Sequence, residues 1–73
     1  MARADSHQQG RTLARKRRAI GLTQHQLAAA TSIPINKIVY IETGRAVPLP
    51  SELDAIRSVL KKRARQVVAM VGA

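Results

Sequence analysis

The stretch TQHQLAAATSIPINKIVYIETG, Thr23 to Gly44, decides how this chain folds. Its apolar residues Leu27, Ala28, Ile33, Ile38 and Ile41 fit two short helices meeting at an angle. Thr23, with Gln26 three residues on, has the form of a capping box, in which the hydroxyl accepts a first-turn amide and the glutamine reaches back. A helix is predicted to begin there. Its apolar rhythm stops at Thr31 and Ser32, and Pro34 cannot extend it, because the ring removes an N–H and clashes with the preceding turn. In the first turn of a following helix that N–H has no partner anyway, so Pro34 reads as the opening of a second helix. Gly44 then supplies a left-handed stop. The order is helix, tight turn, helix, stop.

That order is the plan of a helix-turn-helix unit. Two runs, GLTQHQLA from Gly21 to Ala28 and IVYIETGR from Ile38 to Arg45, resemble the phage repressor and Cro type of helix-turn-helix protein, the Xre-like family. The resemblance extends over roughly Leu13 to Leu60, and its most specific pieces are the Leu-Thr-Gln helix start and the Ile-Glu-x-Gly end. It implies an all-α fold, a small domain of four to five helices. It also implies that Ala28 lets the two motif helices approach, that Ile38 and Ile41 anchor the second, that Glu42 pairs with Arg17, and that Gln24 contacts a DNA backbone. Three residues depart from the family's pattern: Thr31 where leucine is frequent, Ser32 where glycine is usual, and Pro34 at the helix-cap position. They bear on the turn rather than the fold, since a non-glycine residue enters the left-handed region at modest cost.

Composition agrees. Seventy-three residues make one domain, and a chain so short buries only about 60% of its unfolded surface, so oligomerisation is the expected support for its core. Thirteen Lys and Arg against four Asp and Glu give a net charge of +9, which calls for an anionic partner such as nucleic acid or an acidic membrane surface. Without cysteine there is neither a disulfide framework nor a thiolate metal site. No apolar run is long enough to span a bilayer and no secretory signal opens the sequence, so a soluble cytoplasmic protein is expected.

Residues 1–8 are polar and aperiodic and read as a flexible arm, with residues 9–60 as the DNA-binding domain and 61–73 as a basic and apolar terminal helix. From about Gln9 to Ile20 the pattern is helical, with Thr12 or Ser6 as candidate caps, and Gly21 ends it. Leu13, Arg17 and Ile20 share one face at i, i+4 and i+7. An arginine on that stripe needs a partner, because burying an unpaired charge is costly. Glu42, one of only four acids, is the candidate, and such a pair fixes a helix angle more than it adds stability.

The outward positions of the motif carry the function. Gln24 and His25 open the first motif helix, where unpaired amides and the helix dipole favour a phosphate; His25 is read as an ordinary surface residue. On the second motif helix, Pro34, Ile35, Asn36, Lys37, Val39, Tyr40 and Thr43 are left outward. Exposed Ile35, Val39 and Tyr40 suit a groove better than water. In the major groove Asn36 is able to bond an adenine edge and Ile35 to pack on a thymine methyl, with Tyr40 in reach of a base or phosphate. Arg45 and Lys37 are phosphate contacts in this reading.

Beyond the two-proline loop Ala46 to Pro50, Ser51 and Asp54 give a weaker capping signature. Leu53, Leu60 and Val67 repeat every seven residues, and nothing between Ser51 and Val71 is Gly or Pro, so the last helix is expected either to run unbroken or to break near Leu60 as in the family. Its apolar end, VVAMVGA, calls for burial against a second subunit, with Leu60, Val67, Met70 and Val71 as the dimerisation residues. No Ser/His/Asp or Cys/His set, carboxylate pair, phosphate loop or metal cluster is present, so no enzyme activity, metal or cofactor is expected. The leading reading is a dimeric repressor, acting on its own operon where it autoregulates, bound to double-stranded DNA at an inverted-repeat operator. The alternatives are an antitoxin, whose tail clasps a protein partner, and a basic membrane-surface helix.

Overall fold

The computed structural model describes residues 2–72, with side chains from His7 to Ala69. Among the described residues four helices follow one another: α1 (Ala2–Ala19), α2 (Gln24–Thr31), α3 (Ile35–Glu42) and α4 (Pro50–Gly72). The fold is all-α, at the lower of the two expected helix counts. Leu13, Leu22, Leu27, Ile33, Ile38, Ile41, Ile56 and Leu60 form one buried cluster, to which every helix contributes.

Local chemistry sets the ends of the motif helices. Thr23 and Gln26 make both bonds of the capping box, at 3.0 Å and 2.9 Å, and α2 starts immediately after. It stops at Ser32, whose φ of 59° and ψ of 23° place it in the left-handed region despite its Cβ. Pro34 is the N-cap of α3, the position the resemblance gives it and one short of the first turn that proline chemistry suggests, and its carbonyl accepts from Ile38 at 3.1 Å. At the other end Gly44, with φ of 78°, lets its own amide reach Ile41 and that of Arg45 reach Tyr40, a Schellman stop.

Three expectations are corrected. Of the residues 1–8 read as an arm, those from Ala2 on belong to α1, and Ser6 and Thr12 lie inside that helix instead of capping it, Thr12 bonding back to the Gln8 carbonyl. The cause is an approach between backbones that periodicity does not record. Gly10 is buried where α1 crosses the end of α3, and a Cβ there would run into the Ile41 carbonyl oxygen. His7, one turn earlier, lies against Gly44. Second, Ser51 does not cap α4; Pro50 occupies its first position and the Glu52 carboxylate accepts from the Leu49 amide at 2.8 Å. Third, Leu60 is 5% exposed within the single chain and belongs to its own core, not to a surface between subunits. From there α4 runs unbroken to Gly72, since no helix breaker intervenes.

Candidate nucleic-acid interface

The outward face of α3 is positioned by what lies beneath it. Arg17 and Glu42 are 6% and 7% exposed and meet side on, Nε to Oε2 at 2.7 Å and Nη2 to Oε1 at 3.1 Å. The third guanidinium nitrogen donates to the Leu22 carbonyl at 2.8 Å, so Arg17 ties the end of α1 to the end of α3 and to the turn before α2. Burial makes this geometry demanding, because each charge loses water and recovers it only through these bonds. Gln24 closes the set by donating to Glu42 Oε1 at 3.0 Å. The resemblance gives Gln24 a DNA contact; in the structure its side chain is half-buried and supports α3 from α2. The link to Glu42 was missed in the sequence because 18 residues separate the partners.

Ile33, just ahead of α3, and Ile38 and Ile41 within it are buried and fix its rotation about its axis. Pro34, Asn36 and Tyr40 are consequently exposed, Tyr40 at 46%. Ile35 and Val39 are half-buried and flank them. Thr43 and Arg45 are exposed beyond the helix end; the Thr43 hydroxyl donates to the Val39 carbonyl at 2.9 Å, which caps the last turn. Asn36, Tyr40 and Thr43 thus form a stripe at i, i+4 and i+7, with Arg45 past its end. At the other end of the stripe the Ile35 and Asn36 amides precede the first intrahelical bonds, and the Pro34 side chain supplies no cap.

Lys37 is placed differently from its neighbours. It is half-buried, and its Nζ lies 3.3 Å from Glu52 at the start of α4. The Leu49 amide, and after it Lys37, hold the Glu52 carboxyl below its usual value. The lowered value means that this link is present at neutral pH and is lost as pH falls through the acid range below the ordinary carboxylate value of 4.5. A charge fifteen positions away gives no local signal, which is why the sequence reading places Lys37 with the outward residues.

His25 is exposed. Of the residues assigned to the dimer contact, Val67 is half-buried and Leu60 is in the core, while the side chains of Met70 and Val71 lie outside the described residues. Among the described residues, no group of His, Asp or Glu is arranged to hold a metal ion, and no helix is long and apolar enough to cross a membrane.

Residues 8–61 match the family model described as a helix-turn-helix domain. No characterised protein and no solved structure matches the chain. The matched span begins in α1 and ends in α4 just past Leu60, so it takes in the whole buried cluster and the stripe on α3.

Proposed function

The chain belongs to the helix-turn-helix domain family, whose members bind DNA and regulate transcription, and from that premise we propose a sequence-specific repressor that binds an inverted-repeat operator as a symmetric dimer. The observation that carries this reading is the exposed stripe on α3. Three isoleucines bury the opposite side of the motif, while an amide, a phenol and two partly exposed aliphatic side chains are presented together.

In this reading α3 enters the major groove. Asn36 reads an adenine edge, Ile35 and Val39 pack against thymine methyls, and Tyr40 reaches a base or a phosphate. Pro34 lies at the groove wall. Thr43 and Arg45 hold the backbone beyond the helix, and the remaining amide hydrogen of Gln24 holds it at the start of α2. Lys37 reaches a phosphate by leaving Glu52, an exchange that sacrifices only a solvent-screened ion pair. The subunits meet through the end of α4, at Val67, Met70 and Val71. The 70% exposure of Val68 beside them supports an apolar contact there, and the half-buried state of Val67 leaves it surface to contribute.

Selecting bound duplexes from a random pool tests the reading as a whole. The expected product is a palindrome whose half-sites lie about 34 Å apart, one helical turn, so that both α3 helices face the same side of the duplex. Recovery of a single unrepeated half-site removes the symmetric dimer; recovery of unselected sequence removes base reading. A cytoplasmic location and control of its own operon follow from the same proposal, and a promoter fusion to the gene's upstream region measures the second.

A further inference from the structure

A groove of about 490 Å³ opens between the second half of α1 and the middle of α4. Its floor is Leu13 and Leu60, both buried, and Ile20 and Ala64 form half-buried walls. Lys16, Arg57 and Lys61 stand exposed along it. No residue of α2 or α3 lines it, so it is separate from the DNA-reading stripe and goes beyond the function proposed above.

The shape comes from helix spacing. The lining positions run from Leu13 on α1 to Ile20 just past its end, and on α4 from Arg57 to Ala64, in each case one face of about two turns, roughly 10 Å. Two such faces side by side, with an apolar floor, form the seat into which a third amphipathic helix lays its i, i+4 and i+7 anchors. The charge along the groove then restricts which helix. Three cations line it and no acid does. DNA does not fit an apolar floor. Nor does a second copy of this chain supply the complementary charge: of its four acids, Glu42 is bound to Arg17 and Glu52 to Lys37, which leaves only Asp5 and Asp54.

We infer that the α1–α4 groove is a docking site for a short amphipathic helix of a partner protein, with aliphatic residues on one face and glutamates or aspartates beside them. Its aliphatic anchors enter between Ile20 and Ala64, and its carboxylates meet Lys16, Arg57 and Lys61. A helix held there leaves α3 uncovered, so the protein is able to carry its partner to DNA.

The test uses the full chain and three synthetic peptides: one with leucines at i, i+4 and i+7 flanked by glutamates, its scramble, and the version with lysine in place of each glutamate. Fluorescence anisotropy of the labelled peptides should show binding of the first alone. Lys16→Glu combined with Lys61→Glu should weaken it at least about tenfold, because like charges then face each other. Ala64→Trp, which fills the groove, should abolish it, and amide shifts on binding should fall on α1 and α4. Melting curves and duplex binding of the same variants are recorded in parallel, so a failure of the DNA reading is seen separately. The inference is overturned if the acidic helix does not bind, if the scramble binds equally, or if the shifts concentrate on α3. It is also overturned if Ala64→Trp converts a dimer to single chains by light scattering, since a second copy would then be the occupant.

Discussion

The motif and the end of α4 treat their polar and charged side chains in opposite ways. Between Thr23 and Gly44, and in the Arg17 side chain that reaches beneath, hydrogen bonding is completed inside the chain: Thr23 with Gln26, Gln24 and Arg17 with Glu42, Thr31 with the Leu27 carbonyl. From Lys61 to Ala69 the helix carries Lys61, Lys62, Arg63 and Arg65 with no acid paired to them among the described residues, and Val68 is largely exposed. Beneath its exposed stripe the motif is finished as a monomer, whereas the end of α4 has no such network among the described residues and presents groups that a second molecule would cover. Rigidity suits the first because base reading depends on where a side chain is held; a surface left open suits assembly.

The sharpest way to break that contrast is to open the finished region. Glu42→Ala leaves Arg17 buried without its carboxylate and Gln24 without its acceptor, a loss of roughly 3–5 kcal/mol at a buried site. For a domain this small that is a large share of its stability. Thermal melting by circular dichroism should show a largely unfolded chain at room temperature. Melting at the parent temperature would mean that the network orients α3 without stabilising it.

Damage at the open end should act on assembly and leave folding alone. Val67→Asp with Val71→Asp places carboxylates on the proposed dimer face outside the buried cluster. Light scattering should report single chains, operator binding should fall with the loss of the second half-site, and the melting of dilute protein should stay close to that of the parent. An unchanged dimer would move the contact elsewhere.

Gly10 tests whether α1 belongs wholly to the finished region. By helix propensity alone, Gly10→Ala should stabilise by about 1 kcal/mol. The added Cβ meets the Ile41 carbonyl instead, and overpacking of this kind costs roughly 1–3 kcal/mol. A lower melting temperature is expected; a higher one would show that α1 is not anchored at this crossing.

What the sequence reveals here follows the range of the interaction. The capping box, the glycine stop and the apolar spacing of α2 and α3 act over three or four residues, and each is readable from neighbours along the chain. The helical start at Ala2 is not, because its anchor is the absence of a side chain at Gly10 opposite a carbonyl thirty-one positions away. The Lys37–Glu52 pair and the burial of Leu60 escaped the sequence for the same reason: a helical wheel says which face a residue occupies, but not which element covers that face. The stripe on α3 was legible because three buried isoleucines fix it by exclusion.

Within that stripe, reading and holding should separate. Asn36→Ala should lose about 1–3 kcal/mol of discrimination at one base pair, with Ile35 behaving likewise at a thymine. Arg45→Ala should weaken operator and scrambled duplex together and lower the salt slope by about one unit, since one fewer phosphate is neutralised. Lys37→Ala should do the same by a smaller amount, because binding no longer has to break the pair with Glu52. Titrations of all the variants at several salt concentrations distinguish these cases. If Asn36→Ala weakens both duplexes equally and Arg45→Ala alters base preference, α3 lies rotated in the groove.

The smallest effect concerns the turn between α2 and α3, where Ser32 holds a left-handed conformation with φ of 59°. A Cβ in that region costs roughly 1–2 kcal/mol, and glycine avoids the clash. Glycine also adds freedom to the unfolded chain, which offsets about 0.4–1 kcal/mol of the gain. Ser32→Gly should therefore raise stability by about 0.5–1 kcal/mol and the melting temperature by a few degrees, as the entropy of unfolding of a domain this size implies. Operator affinity should not change, because the turn geometry is already the one glycine would adopt and Ser32 lies outside the stripe. A gain in stability accompanied by weaker binding would show that the serine holds α3 at its reading angle, and would add the turn to the residues that position the interface.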